Sequence, residues 1–184
     1  MKLVVGLGNP EPRYDLTRHN AGFWVLDQLA LVAGLTFTTK PKHKAEIAEM
    51  TIGDEKILLV KPSTYYNLAG ESIRSIVDFY KINPKDILVI HDELMLPFNT
   101  VRMRRGGSSA GNNGLKSLES HIGADTARIR IGIANDMREK MDDADFVLGK
   151  FSTDEIIQLS KLLPKITDGI DDFIAERFMP TTHK

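Results

Sequence analysis

The sequence predicts an α/β fold: a single-domain three-layer sandwich over residues 1–184, with a twisted mixed β-sheet flanked by helices. Three observations carry this. Short apolar runs such as LVVGL and DILVIHDE alternate with segments of helical period. Two strand-like runs flank Gly53-Asp54, which marks a hairpin, so the sheet is mixed. A chain of 184 residues with 42% apolar residues suits one full hydrophobic core.

The elements follow in order. LVVGL (3–7) reads as a buried strand. GNPEPRYDLTRHN is a loop, because its prolines and Gly-Asn-Pro turn oppose regular structure. Asn20 is placed to cap a helix from Ala21 to Ala33, with Gly34 ending it. KAEIAEMTI and EKILLVKP form the hairpin. Asn67 is expected to open a helix through about Tyr80, with Ile73, Ile76, Val77 and Tyr80 facing the core. DILVIHDE is a short strand and TVRMRR another. GGSSAGNNG is a glycine-rich loop into a helix near Leu115–His121, with Asn113 as its cap. ARIRIGIA is a strand. Residues 135–149 are polar and poorly periodic and read as a mobile loop. The last helix starts near Thr153, where Ser152 and Glu155 have capping-box spacing. Its stripe of Ile156, Leu159, Leu163, Ile166, Ile170 and Phe173 reads as core, and Pro164 should kink or split it.

The charge balance is nearly neutral, at −1, so no global basicity announces a nucleic-acid partner. The distribution is uneven. Residues 99–130 hold six basic side chains (Arg102, Arg104, Arg105, Lys116, Arg128, Arg130) against Glu119 and Asp125. Arg102 and Arg104 alternate along a strand and so share a face, which suits phosphate contact. Zero cysteines exclude a disulfide framework and a thiolate zinc site. No apolar run approaches the ~20 residues of a membrane span, and the chain enters a strand at once without a basic leader. The expectation is a cytoplasmic protein.

In such folds ligands sit beyond the carboxyl ends of the strands. That places Asn9, Asp92 and Asn67 near one another. His19 stands between the proline loop and a helix start, and a neighbouring Asp92 would orient its ring and favour its charged form. His91 precedes Asp92 and should point the other way, as a buried partner. Asn113 adds a third carboxamide, and carboxamides both donate and accept. One histidine, one carboxylate and three carboxamides are the inventory of a hydrolase that activates water. No G-x-S-x-G elbow marks an acyl-enzyme nucleophile, and paired histidine spacing for a metal is absent. GLGNPE breaks the dinucleotide fingerprint at Glu11, and GGSSAGNNG lacks the Gly-Lys-Ser/Thr end of a Walker loop.

GLGNPEPRYDLTRHNAGF, KPSTYYNLAGES, HDELMLP, GGSSAGNNGLKS, RIRIGI and FVLGKF stand in order along the chain from Met1 to about Phe151. In order and spacing they resemble the bacterial peptidyl-tRNA hydrolase family. The resemblance implies hydrolysis of the ester between a peptide and the terminal ribose of tRNA. It implies His19 as base and Asp92 as the residue that orients it. Asn9 would help discriminate N-blocked from free aminoacyl-tRNA. Asn67 and Asn113 would contact substrate, as would Tyr14, Tyr65 and Tyr66 at the tRNA end and peptide site. Arg102, Arg104 and Arg130 would contact phosphates. It implies no metal or cofactor, a monomer, and peptidyl-tRNA as partner with no membrane. Four positions depart from the family pattern. Glu11 stands for a usual glycine, Tyr66 for a common Met, Met95 for a frequent Asp and Asn112 for a usual His. Asn112 is expected to orient the neighbouring carboxamide in the histidine's place. The second reading is a non-catalytic RNA-binding relative, akin to organellar splicing factors; loss of His19 or Asp92 would have favoured it, and both are present. A nicotinamide oxidoreductase comes third, against the broken glycine motif.

Overall fold

The computed structural model describes all 184 residues. Strands β1 (Lys2–Gly6), β2 (Thr38–Lys40), β3 (Ala45–Ile52), β4 (Glu55–Pro62), β5 (Ile87–Pro97), β6 (Val101–Arg105), β7 (Ala127–Ala134) and β8 (Thr181–His183) form one sheet, ordered β2-β3-β4-β1-β5-β7-β6-β8. The four central strands β4, β1, β5 and β7 run parallel, and the outer ones pair antiparallel. The sheet is therefore mixed. Its parallel centre is buried on both faces, as parallel strands require.

Helices α1 (Ala21–Ala33), α2 (Ala69–Tyr80), α3 (Asn113–Ile122), α4 (Asp143–Leu148) and α5 (Thr153–Ile174) make the outer layers. Strand alternation divides the core. Val4, Leu88, Ile90 and Ile129 pack with Leu26 of α1, Phe146 of α4 and Ile166 of α5. Leu3, Val5, Leu58 and Val89 pack with Ile73 of α2 and Leu118 of α3 on the other side. Helix α1 approaches the sheet unusually closely. A Cβ on Gly22 would meet the Leu7 nitrogen at 2.5 Å and the Ile90 oxygen at 2.3 Å. That contact fixes the height of the loop before α1 over the ends of β1 and β5.

Several expectations hold to the residue. Helix α1 has the expected bounds and ends at Gly34 in the left-handed region, with φ 66°. The hairpin turns at Gly53, φ 59°. Ser152 and Glu155 form the capping box reciprocally, a device worth about 1 kcal/mol.

Others need correction. Pro164 does not split α5, which runs 22 residues without a break. Pro164 lies on the exposed side of the helix, so the carbonyl it leaves without a donor can be hydrated. Asn67 does not open α2; it lies in a single 3-10 turn, Tyr66–Leu68, and the helix starts at Ala69. β5 continues through Pro97, with an irregularity between Glu93 and Pro97. Residues 135–149 are not simply a loop. They contain a 3-10 turn at Arg138–Lys140 and helix α4, anchored by Phe146, which is fully buried. One buried aromatic in a polar stretch leaves no periodic trace.

Candidate active site

Beyond Ile90, β5 loses β1 as a neighbour, because β1 ends at Gly6 paired with Ile90, while its pairing with β7 continues. Asp92 lies just past this point, at the mouth left between the two strands, and is 3% exposed. The loop after β1 brings in Asn9 and, through a 3-10 turn at Arg18–Asn20, His19. The turn after β4 brings in Tyr66. The glycine-rich loop before α3 brings in Asn112.

The His19 turn is held from behind. Arg18 N–H donates to the Gly149 carbonyl and Phe151 N–H to that of Leu16. The Arg18 guanidinium lies 4.5 Å from the Phe146 ring centroid and pairs with Glu155 at 3.2 Å. The segment read as mobile thus buttresses His19.

His19 Nδ1–H donates to Asp92 Oδ2 at 3.0 Å. This fixes the tautomer that leaves Nε2 with its lone pair, and Nε2 makes no hydrogen bond within the protein. Burial alone would push the Asp92 carboxyl up. The His19 charge and the hydrogen bonds from His19 and Tyr66 outweigh it and hold Asp92 below the ordinary carboxylate range. Asp92 is therefore an anion at neutral pH. His91 is fully buried, and its Nδ1–H donates to the Asp92 carbonyl at 2.7 Å. Burial holds it down, in the neutral form. It is a buried partner, as expected.

Asn9 is buried and clamped. Its N–H donates to Asn20 Oδ1 and its carbonyl accepts from Asn20 Nδ2, both at 2.9 Å. Asn20 thus spends its side chain on Asn9, and α1 carries no side-chain cap there. This overturns the expected capping role. Asn9 Oδ1 accepts from Tyr66 N–H at 2.8 Å. The Asn9 Nδ2 donor is left without a protein partner.

Tyr66 is the hub, a place the sequence did not reveal. It is 3% exposed, and its ring stacks on His19 with centroids 3.5 Å apart and planes 13° from parallel. Its hydroxyl donates to Asp92 Oδ1 at 2.6 Å. Burial first, then the Asp92 charge, push that hydroxyl far up, so it stays protonated. Tyr66, expected among the substrate contacts, is enclosed behind the His19 ring. Asn112 donates from Nδ2 to Tyr66 Oη at 2.8 Å, while its Oδ1 accepts from Leu115 N–H and caps α3. The cap is Asn112, not Asn113, and Asn112 orients Tyr66 rather than its neighbouring carboxamide. Two of the four departures from the family pattern are in contact.

Asn67 and Asn113 are exposed beside Tyr66 and Asn112 respectively, and neither side chain is spent on the protein. Tyr65 is 47% exposed and its hydroxyl bonds the Glu11 carboxylate, another of the departures. Tyr14 is half-buried, with the Arg13 guanidinium 4.8 Å from its ring centroid. Alongside Asn9 runs a groove of about 650 Å³ that also includes Leu16, Asn20, Phe23 and Trp24.

The basic residues divide. Arg102 is exposed, its Nε donating to Thr182 Oγ1 of β8 at 3.2 Å. Arg104 shares its face but is half-buried, and it donates to the Ser108 carbonyl at 2.9 Å. Arg128 donates to the same carbonyl at 3.0 Å, so the two arginines hold the glycine-rich loop. Burial and the charges of Arg130 and Arg128 push Arg104 down from the usual guanidinium value. Arg130 is not on the open surface. It is buried in β7, with Nε at 3.0 Å and Nη2 at 2.9 Å from Glu93 Oε2. A guanidinium spent on a buried carboxylate has little left for phosphate. No group of three or more His, Cys, Asp or Glu converges as metal ligands. No helix is long and apolar enough to cross a membrane.

A sequence model of the peptidyl-tRNA hydrolase family matches residues 3–184. The chain is 45% identical over 174 residues to a peptidyl-tRNA hydrolase of Pelodictyon phaeoclathratiforme, covering 94% of this chain and 91% of that protein. It is 43% identical over 170 residues to one of Synechocystis, covering 92% and 87%. The crystal structure of peptidyl-tRNA hydrolase from Acinetobacter baumannii superposes with a TM-score of 0.87 at 35% identity, covering 96% of this chain and 90% of that one. With a match across nearly the whole sequence, and the same fold in a relative this similar, the chain belongs to the peptidyl-tRNA hydrolase family.

Proposed function

We propose that this protein hydrolyses the ester between a peptide and the terminal ribose of tRNA, with water activated by His19. The observation that carries this reading is the His19–Asp92 pair, in which Nδ1 is engaged and Nε2 stands open. Nε2 takes a proton from water as the water oxygen bonds to the ester carbonyl carbon. Asp92 stabilises the imidazolium so formed. The negative charge that develops on the carbonyl oxygen needs donors, and the amide nitrogens of Asn9, Asn67 and Asn113 are available to supply them. The carbon–oxygen bond to the ribose then breaks, and the imidazolium returns its proton to the departing ribose oxygen. Peptide acid and free tRNA leave. Every proton is handled by His19, and no metal is required. Tyr14 and Tyr65 serve substrate contact in this reading. We place the whole chain, 1–184, in this one role, as a cytoplasmic monomer.

The test is incubation with N-acetylaminoacyl-tRNA beside the free aminoacyl form, with a chelator present. Rapid release from the blocked form alone is expected. Equal release from both, or none without added metal, would refute the reading.

Arg102 is the basic side chain best placed for the tRNA backbone. Its loss should weaken tRNA binding and lower the slope of log affinity against log salt by about one phosphate contact, with kcat kept. An unchanged slope in Arg102→Ala would put the tRNA on another face. Arg130→Ala is expected to act on stability instead, since it strands Glu93 in the interior.

A further inference from the structure

The arrangement around Asp92 points to a role for two residues outside the base–carboxylate pair. It rests on the ester-hydrolysis reading above. We propose that Tyr66, aligned by Asn112, is a positioning residue for the reaction. Its hydroxyl holds the second oxygen of Asp92 and its ring backs the imidazole, so base and carboxylate keep one geometry while the proton moves.

The direction of every hydrogen bond in this chain is forced. Asn112 Oδ1 is engaged by the Leu115 N–H at the start of α3, at 3.0 Å. Its Nδ2 must then face Tyr66, and turning the amide over would lose both bonds. The Tyr66 oxygen receives that N–H, so its own proton is directed to Asp92 Oδ1. Asp92 Oδ2 already receives the His19 N–H. Each carboxylate oxygen is thus pinned by its own donor, and the carboxylate cannot swing as charge appears on the imidazole. A chain of donors running one way also strengthens each bond in it.

The ring adds a second constraint. A stack at 3.5 Å and 13° leaves the imidazole no room to tilt on that side. The ring itself cannot retreat. A Cβ on Gly114 would lie 2.4 Å from Tyr66 Cε1, so α3 meets the ring at a glycine, and Asn9 Oδ1 holds the Tyr66 nitrogen. Tyr66 therefore joins Asn9, His19, Asp92 and Asn112 in one rigid unit.

The experiment uses the full chain with N-acetylaminoacyl-tRNA. Tyr66→Phe keeps the ring and removes the hydroxyl. Asn112→Ser keeps a cap for α3 and removes the donor to Tyr66. Tyr66→Phe should lower kcat about tenfold with KM within about twofold, as expected for a lost bond to a charged group. The acid limb of its kcat–pH profile should move to higher pH, because Asp92 without the hydroxyl holds the imidazolium more strongly. Asn112→Ser should shift kcat in the same direction. The double variant should fall no lower than Tyr66→Phe, since both changes break one link. Wild-type kcat and an unmoved limb in Tyr66→Phe would overturn the proposal, and so would a double variant whose losses simply multiply. A wild-type protein silent on this substrate would instead remove the hydrolase reading itself, and the proposal with it.

Discussion

His19→Ala is expected to lower turnover by about 10²–10⁴-fold while leaving tRNA affinity close to that of the parent. The side chain is 18% exposed and supplies the open Nε2. Its removal leaves water at the site without a base, and the amide donors alone cannot take its proton. Binding should survive because the candidate phosphate contact, Arg102, lies on β6 and shares no hydrogen bond with His19. The folded structure should survive as well, because the turn that carries His19 is held by Arg18, Gly149 and Phe151 through other atoms. Single-turnover hydrolysis with enzyme in excess separates chemistry from binding. A variant that still cleaves at a near-parental rate would show that another group activates the water.

Asp92→Asn should cost a comparable factor, about 10²–10⁴, for a reason the hydrogen bonds make specific. An amide can face the site in two ways. With its nitrogen toward His19, Nδ1 must accept, the ring proton moves to Nε2 and the base is lost. With its nitrogen toward Tyr66, the hydroxyl oxygen meets a second donor besides Asn112, and its own proton has no acceptor. Neither arrangement offers a negative charge to the imidazolium. Shape is nearly unchanged, so thermal unfolding should stay cooperative. Turnover is the quantity to measure, and a loss smaller than about fivefold would mean that the charge of Asp92 is not used.

Asp92→Asn and Tyr66→Phe differ in what they should do to pH dependence. In the parent, the rate should be limited on the acid side by the imidazole, which can act as a base only when unprotonated. Asp92 itself is held below the ordinary carboxylate range and does not titrate in the neutral region. The residual activity of Asp92→Asn should therefore have its acid limb at lower pH than the parent, because the charged imidazole has lost its partner. Tyr66→Phe should move that limb the other way. Opposite displacements from two neighbours of one carboxylate are hard to produce by general loosening of the site.

Much of this was legible in the sequence, where the cause is local. The bounds of α1 follow from a helical run closed by Gly34, whose left-handed φ costs a glycine nothing. The hairpin follows from Gly53, and the start of α5 from Ser152 and Glu155, three residues apart. The mixed α/β sheet follows from the rhythm of apolar runs, and the His19–Asp92 pair from motif order and strand-end placement. Short edge strands such as β2 and β8, three residues each, had too little pattern to be seen.

What only the tertiary structure decided is which polar groups meet. Tyr66 and Asp92 are 26 residues apart, Asn112 and Tyr66 46, and Arg18 and Glu155 137. Asn112 and Asn113 are chemically identical, yet one caps α3 and aligns Tyr66 while the other faces solvent. Arg102 and Arg130 are equally basic on paper and are cross-strand partners; strand order sets Arg130, on β7 beside β5, against Glu93, while Arg102 on the outer β6 stays exposed. Periodicity records the average burial of a face, because apolar contact is non-directional and tolerates substitution. A hydrogen bond depends on angle and on the last ångström. Those are set by how helices seat on the sheet, here by the close approach of α1 at Gly22 and of α3 at Gly114.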